Sequence, residues 1–214
     1  MSSVETSPRR RRKEARPQEL LDAALALFVE KGFAGTRAEE VAASAGVSKG
    51  TLYLYFPSKE DLLKAVIAHN LSERIAAGAQ QAADFTGTSV ELLRTLLCDW
   101  WEYAYDSPAG AVFKLVITEV RNFPEIAAFY LREVVEPARQ LVGGIVQRGI
   151  DAGEFRPIDP NVAVHSLVLP LIMICVHKHS VGACVGPEDA PMDGFAFIRQ
   201  HVDLVIDGLR LRPA

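Results

Sequence analysis

Residues 36–60 read TRAEEVAASAGVSKGTLYLYFPSKE, and the architecture follows from them. Two short helices cross closely only where a small residue sits at the crossing, and Ala42 supplies it. The turn between them favours a residue at ease at positive φ, and Gly46 supplies that. Leu52 faces inward and anchors the second helix, with Val41 and Val47 filling the rest. This is helix-turn-helix spacing, in which the second helix offers its N-terminal end to a DNA major groove. That end reads Ser48-Lys49-Gly50-Thr51, which is small, polar and basic, and suits close backbone approach. The free N–H groups and dipole of such an end attract phosphate. Tyr53, Tyr55 and Phe56 follow. A phenol here donates to a phosphate oxygen or lies on a thymine methyl; Phe56 and one tyrosine suit the core equally. Lys59 stands in the first turn of the next helix, which is poor for the dipole and so suits a phosphate contact.

The period on either side is helical. Leu20, Ala24, Leu27 and Phe28 form one stripe, with Pro17 suited to a first turn and Gly32 to a C-terminal cap. A short helix is expected over 37–45, capped by Thr36, and another over 48–55. Ser58 with Asp61 resembles a capping box, opening a helix from about Ser58 to Asp84. Thr88 with Glu91 opens the next, carrying Leu93, Leu97, Trp100, Trp101 and Ala104. Ser107-Pro108 and Phe123-Pro124 start two more, the second kinked at Pro137. The last two run over about 160–179 and 192–209. Strand signals are thin. The expected fold is all-α, with about nine helices, divided into a disordered basic arm (1–15), a helix-turn-helix domain (16–62) and a ligand-binding and dimerisation domain (63–214).

Composition bounds the rest. The chain has 214 residues, 49% hydrophobic and 23% charged, with formal net charge -4. That is a globular balance, which excludes wholesale disorder and collagen-like repetition. The charge is uneven: residues 1–56 carry +2 and the remainder -6. A basic end on an acidic body points that end toward a polyanion. The run Arg9-Arg10-Arg11-Arg12-Lys13 is either a solvated tail or a phosphate-seeking arm. No apolar stretch follows it, so no secretory signal is expected. Cys98, Cys175 and Cys184 are too few and scattered for a disulfide framework, and a reduced, cytoplasmic setting fits. The apolar stretch 162–176 falls short of the roughly 20 residues that span a bilayer, and reads as a buried helix with no membrane partner.

Residues 36–60 resemble the DNA-binding region of TetR/AcrR-type transcriptional regulators, and the resemblance covers about residues 16–67. It implies three N-terminal helices for DNA, then a divergent helical ligand and dimer domain. It implies phosphate contacts from Thr36, Ser48, Tyr55 and Lys59, and base-edge approach by Lys49, Gly50, Thr51 and Tyr53. Arg37 stands where the family often has a small hydroxyl residue; it either adds a phosphate or base contact or is simply solvated. The stretches 123–137 and 153–157 are more loosely similar to one C-terminal subgroup of the family.

Residues 167–176 are apolar on nearly every side, and Phe195, Ile198, Val202, Val205 and Leu209 stripe the last helix. Pairing the last two helices with a second copy buries both, and one helix-turn-helix unit gains register across two half-sites. The alternative is that both are monomer core. Trp100, Trp101, Tyr103, Phe113, Phe129, Tyr130 and Met173 are either pocket walls or ordinary core, with His165 and His177 as polar handles or packed histidines. Cys175, His177, His179 and Cys184 carry metal-capable atoms, but i and i+2 point apart on a helix, so no metal site is expected. Nor is a cofactor: no nucleophile elbow, phosphate loop or zinc-protease motif occurs. The expected function is a ligand-released repressor, a homodimer on a near-palindromic duplex operator, with an unidentified small-molecule effector. A metal or redox sensor on the same frame is the alternative, and a helical enzyme is the least supported reading.

Overall fold

The computed structural model describes residues 8–184 and 193–211. Its regular structure is helical, apart from one isolated antiparallel bridge between Phe155 and Arg210. Eleven α-helical segments occur among the described residues, and π-helical turns at Ala68–Ser72 and Leu131–Val135 join two pairs end to end, leaving nine runs. The chain divides into two compact units, 1–67 and 68–214.

The first unit holds α1 (Pro8–Gly35), α2 (Ala38–Ser44), α3 (Lys49–Tyr55) and α4 (Lys59–Ile67). The expected disordered arm over 1–15 is corrected in part: helix begins at Pro8, because proline suits a first turn and Arg, Lys, Glu and Ala propagate helix well. Residues 1–7 lie outside the described residues. Pro17 accordingly sits inside α1 instead of opening it. Gly32 breaks α1 at φ 76, a conformation that L side chains rarely adopt. Leu20, Ala24, Phe28, Phe33, Val41, Leu52, Leu62 and Val66 form this unit's core, each at most 2% exposed or nearly so. Burying an aliphatic side chain of this size contributes about 1.5–3 kcal/mol, so Leu52 alone is a substantial anchor for a seven-residue helix.

The second unit holds α5 (Glu73–Asp84), α6 (Ser89–Asp106), α7 (Ala109–Glu119), α8 (Pro124–Tyr130), α9 (Glu136–Asp151), α10 (Pro160–Lys178) and α11 (Gly194–Leu209). The capping box at Thr88 and Glu91 forms as expected. A distant carboxylate adds to it: Glu154 accepts from the Ser89 and Val90 N–H groups, both at 3.1 Å. The expected kink near Pro137 takes the form of the π-helical turn just before it. Proline has no N–H for the carbonyl four residues back and its ring crowds that carbonyl, so the helix widens there. Asp193 caps α11, and Met192, where the helix was expected to begin, lies outside the described residues.

α10 corrects a second expectation. It spans 19 residues, and with the 3-10 turn after it the apolar run reaches Cys184, long and apolar enough by composition to cross a bilayer. It is also only part-buried. Leu167, Leu171, Ile174 and Cys175 face inward, while Val162, Leu169 and Met173 are more than half exposed and share one face at i, i+7 and i+11. The sequence pattern hides this, because both faces are apolar.

Candidate nucleic-acid interface and effector cavity

The turn between α2 and α3 is built as the spacing requires. Gly46 has φ 65 and donates to the Ala43 carbonyl at 3.1 Å, and the Val47 N–H reaches Ala42 O at 2.9 Å. Ala42 is 2% exposed at the crossing and Leu52 is fully buried. Ser48 caps α3: its hydroxyl accepts from Thr51 N–H at 3.1 Å. With Leu52 turned inward, Gly50, Tyr53 and Leu54 share the outward face. Gly50 is open there, Tyr53 is 39% exposed and Leu54 84% exposed. Tyr55 is half-buried. Sequence reading missed Leu54, although its place two residues from the inward Leu52 already turns it outward.

Lys49 is exposed, but its ammonium is paired with the Glu39 carboxylate of α2 and lies 5.7 Å from the Tyr53 ring centroid. That hydrogen bond raises the lysine pKa and lowers that of Glu39. The exposed start of α3 thus carries an ion pair with α2 in place of a free cation.

Two expected phosphate contacts are corrected. Thr36 is 1% exposed, and its hydroxyl donates to Gly32 O at 2.8 Å and Leu27 O at 3.1 Å. It closes the end of α1, so the cap of α2 passes to Arg37, whose N–H donates to Glu40 at 2.9 Å. Lys59 donates to Phe33 O at 2.8 Å and Thr36 O at 3.0 Å, with its ammonium 4.4 Å from the Phe33 ring. A cation at the carbonyl end of α1 outweighs the unfavourable dipole of α4, since hydrogen bonds from a charged donor exceed the roughly 0.3–1 kcal/mol of a helix-end charge. The Arg37 side chain is exposed.

The second unit encloses a cavity of about 470 Å³. Its aromatic wall is Trp100, Trp101, Phe113 and Tyr130, with Trp101 stacked on Phe113 at 5.3 Å and edge-on to Trp100 at 4.6 Å. His165 also lines it, its Nδ1 2.6 Å from Asn161 O. Four expected wall residues are not there. Tyr103 stands two residues after Trp101 and so faces away, under the Arg74 guanidinium at 3.3 Å. Phe129 packs under Arg132 at 5.7 Å, Met173 is 58% exposed, and His177 lies beside Gly182. Among the described residues no group of three or more His, Cys, Asp or Glu side chains is placed to hold a metal. Burial pushes the thiols up, Cys98 to about 11 and Cys175 to about 12, so neither is a ready thiolate.

Comparison with known proteins agrees with this geometry. The model of bacterial regulatory proteins of the tetR family matches residues 20–66, and a tetracyclin repressor-like C-terminal domain matches residues 83–182. The HTH-type transcriptional regulator YfiR of Bacillus subtilis is 29% identical over 73% of this chain and 76% of its own. The HTH-type transcriptional repressor KstR2 of Rhodococcus jostii is 27% identical over 92% of each chain. The structure of the regulator FadR from Bacillus subtilis, in complex with stearoyl-CoA, superposes with TM-score 0.70 at 21% identity, covering 90% of this chain and 99% of that one. The two curated relatives are regulators of transcription. With a helix-turn-helix in its first unit and a helical second unit that both match, the chain is a DNA-binding transcriptional regulator and belongs to the TetR family.

Proposed function

We propose that this regulator is an effector-released repressor that binds a near-palindromic operator as a homodimer in the cytoplasm. The observation that carries the effector reading is the apolar, aromatic-walled cavity of about 470 Å³ within the second unit, a size and lining that suit a small organic molecule. Repression is the activity named for the KstR2 relative. Gly50, Thr51, Tyr53 and Leu54 approach base edges, Leu54 on thymine methyls, and Ser48, Lys49, Tyr55 and Arg37 meet phosphates. Lys49 exchanges Glu39 for phosphate on binding.

The dimer rests on an exposed stripe of α10 and a part-exposed stripe of α11. Val162, Leu169 and Met173 on α10 run beside Phe197, His201 and Leu204 on α11, where Leu204 is 73% exposed and His201 Nε2 lies 3.1 Å from Ser166 O. Water-exposed stripes of this kind on neighbouring helices suit a four-helix bundle with a second copy. The length and hydropathy of α10 are thereby explained without a bilayer.

The test uses the purified chain and the DNA upstream of its own gene. The expected result is a sedimentation mass of two chains, operator binding that weakens steeply with salt, and a Met173→Glu/Leu204→Glu variant that sediments as one chain and loses the operator. Leu54→Ala weakens operator binding while leaving nonspecific binding in place. A wild-type chain sedimenting as a monomer, or salt-indifferent binding, overturns the reading.

A further inference from the structure

The cavity keeps its charges at its opening and its hydrogen-bond donors in its wall. Arg74, Gln81, Asp99, Arg139 and His165 line it but are exposed to solvent. Inside, the polar atoms are neutral donors. Trp101 is fully buried, and its indole N–H has no hydrogen-bond partner among the described residues. Tyr130, half-buried, lines the cavity, and its hydroxyl makes no hydrogen bond to another described residue. Burial pushes the Tyr130 pKa up to about 12, so the phenol stays an O–H donor at any physiological pH. An anion in this wall is desolvated with no buried counter-charge, which is costly. A plain hydrocarbon leaves the Tyr130 hydroxyl unpaired, which is also costly.

We infer that the cavity selects an uncharged, largely apolar molecule bearing a hydrogen-bond-accepting oxygen within its body, a ketone, ester or lactone carbonyl, which Tyr130 recognises. This rests on the effector reading above and narrows it. Discrimination follows the rule that a site built to hydrogen-bond a group rejects the analogue lacking it more strongly than an apolar pocket rejects an added methylene.

Three probes share one scaffold: benzophenone with a carbonyl, diphenylmethane with a methylene in its place, and 4-benzoylbenzoate with an added carboxylate. Both tryptophans of the chain line the cavity, so intrinsic fluorescence reports occupancy there and calorimetry checks the affinities. The expected order is benzophenone tightest, with diphenylmethane and the carboxylate each weaker by roughly three- to tenfold or more. Tyr130→Phe loses roughly three- to tenfold for benzophenone and nothing for diphenylmethane, which doubles as a control that the cavity is intact. If that variant does not fold, the wild-type order still decides. Tightest binding of the carboxylate, or equal binding of ketone and methylene compounds, overturns this inference alone and spares the effector site. Failure of all three probes to bind overturns both.

Discussion

Replacing Lys59 by methionine keeps the length of the side chain and removes its charge. In the structure this lysine donates to two carbonyls at the end of α1, Phe33 O and Thr36 O, and lies over the Phe33 ring. Hydrogen bonds from a charged donor are each about 1.5–3 kcal/mol, and the ring contact adds about 0.5–1 kcal/mol. Against these stand about 2 kcal/mol for ordering a lysine side chain and a further discount because the residue is only half-buried. The net is about 1–2 kcal/mol. For a chain of this size that lowers the melting temperature by roughly 2–8 °C. The assay pairs thermal melting with operator binding measured across salt. Lys59→Met is expected to melt early while its dependence of log affinity on log salt stays that of wild type. A lysine on phosphate gives the opposite pattern: unchanged melting, and a salt slope shallower by about 0.9 per protomer. That second pattern refutes the internal role assigned to Lys59.

Four further outcomes follow from the same geometry. Thr36→Val leaves the Gly32 and Leu27 carbonyls without their hydroxyl donor, and is expected to cost about 1–2 kcal/mol in denaturant titration, with Thr36→Ser recovering most of it. Glu39→Gln removes the partner that Lys49 must leave on binding the duplex, so operator affinity rises; unchanged affinity means the pair never competed with DNA. Gly149→Ala places a methyl 2.2 Å from the Phe155 ring, and a loss of about 2–3 kcal/mol is expected in the same titration. Burial, with Lys178 and Lys114 nearby, lowers the His179 pKa from its ordinary 6.5. The unfolded chain therefore takes up a proton that the folded one resists, and stability present above about pH 6.5 is lost as pH falls below it. Denaturation midpoints measured from pH 8 to 5.5 drop less for His179→Asn than for wild type.

What could be read in the sequence was local. Ala42, Gly46 and Leu52 fix one another over ten residues, and the caps at Ser58 and Thr88 are each closed by a neighbour three residues away. Thr36 and Lys59 were misread for the opposite reason. The partners of Lys59 lie 23 and 26 residues back, at carbonyls that become available only because Gly32 breaks α1. Nothing in the spacing shows that the break points its carbonyls at α4. The cavity wall shows the same limit. Aromatic residues on α6 were visible, but an error of one position in helical phase sends Tyr103 outward and Trp101 inward. On α10, where all faces are apolar, sequence cannot separate the packed side from the side that awaits a partner.

Coupling the cavity to the duplex needs an element with two arrangements that an effector can tell apart, because a ligand of equal affinity for both states shifts nothing. The covalent route is short. Arg74, Ile75 and Gly78 line the cavity from α5, and α5 is joined through the π-helical turn 68–72 to α4, whose Leu62, Leu63 and Val66 are buried. A π turn carries one residue more than the α turn it replaces. Expelling that extra residue turns every side chain beyond it by about 100° about the axis, and moving it along the helix turns the side chains it passes by the same angle. Ile75 and Gly78 would then leave the cavity wall, so a ligand packed against them binds one register and not the other. An unbroken α-helix over 59–84 offers no such alternative; the π turn at 68–72 is the place in this helix where a second register would form.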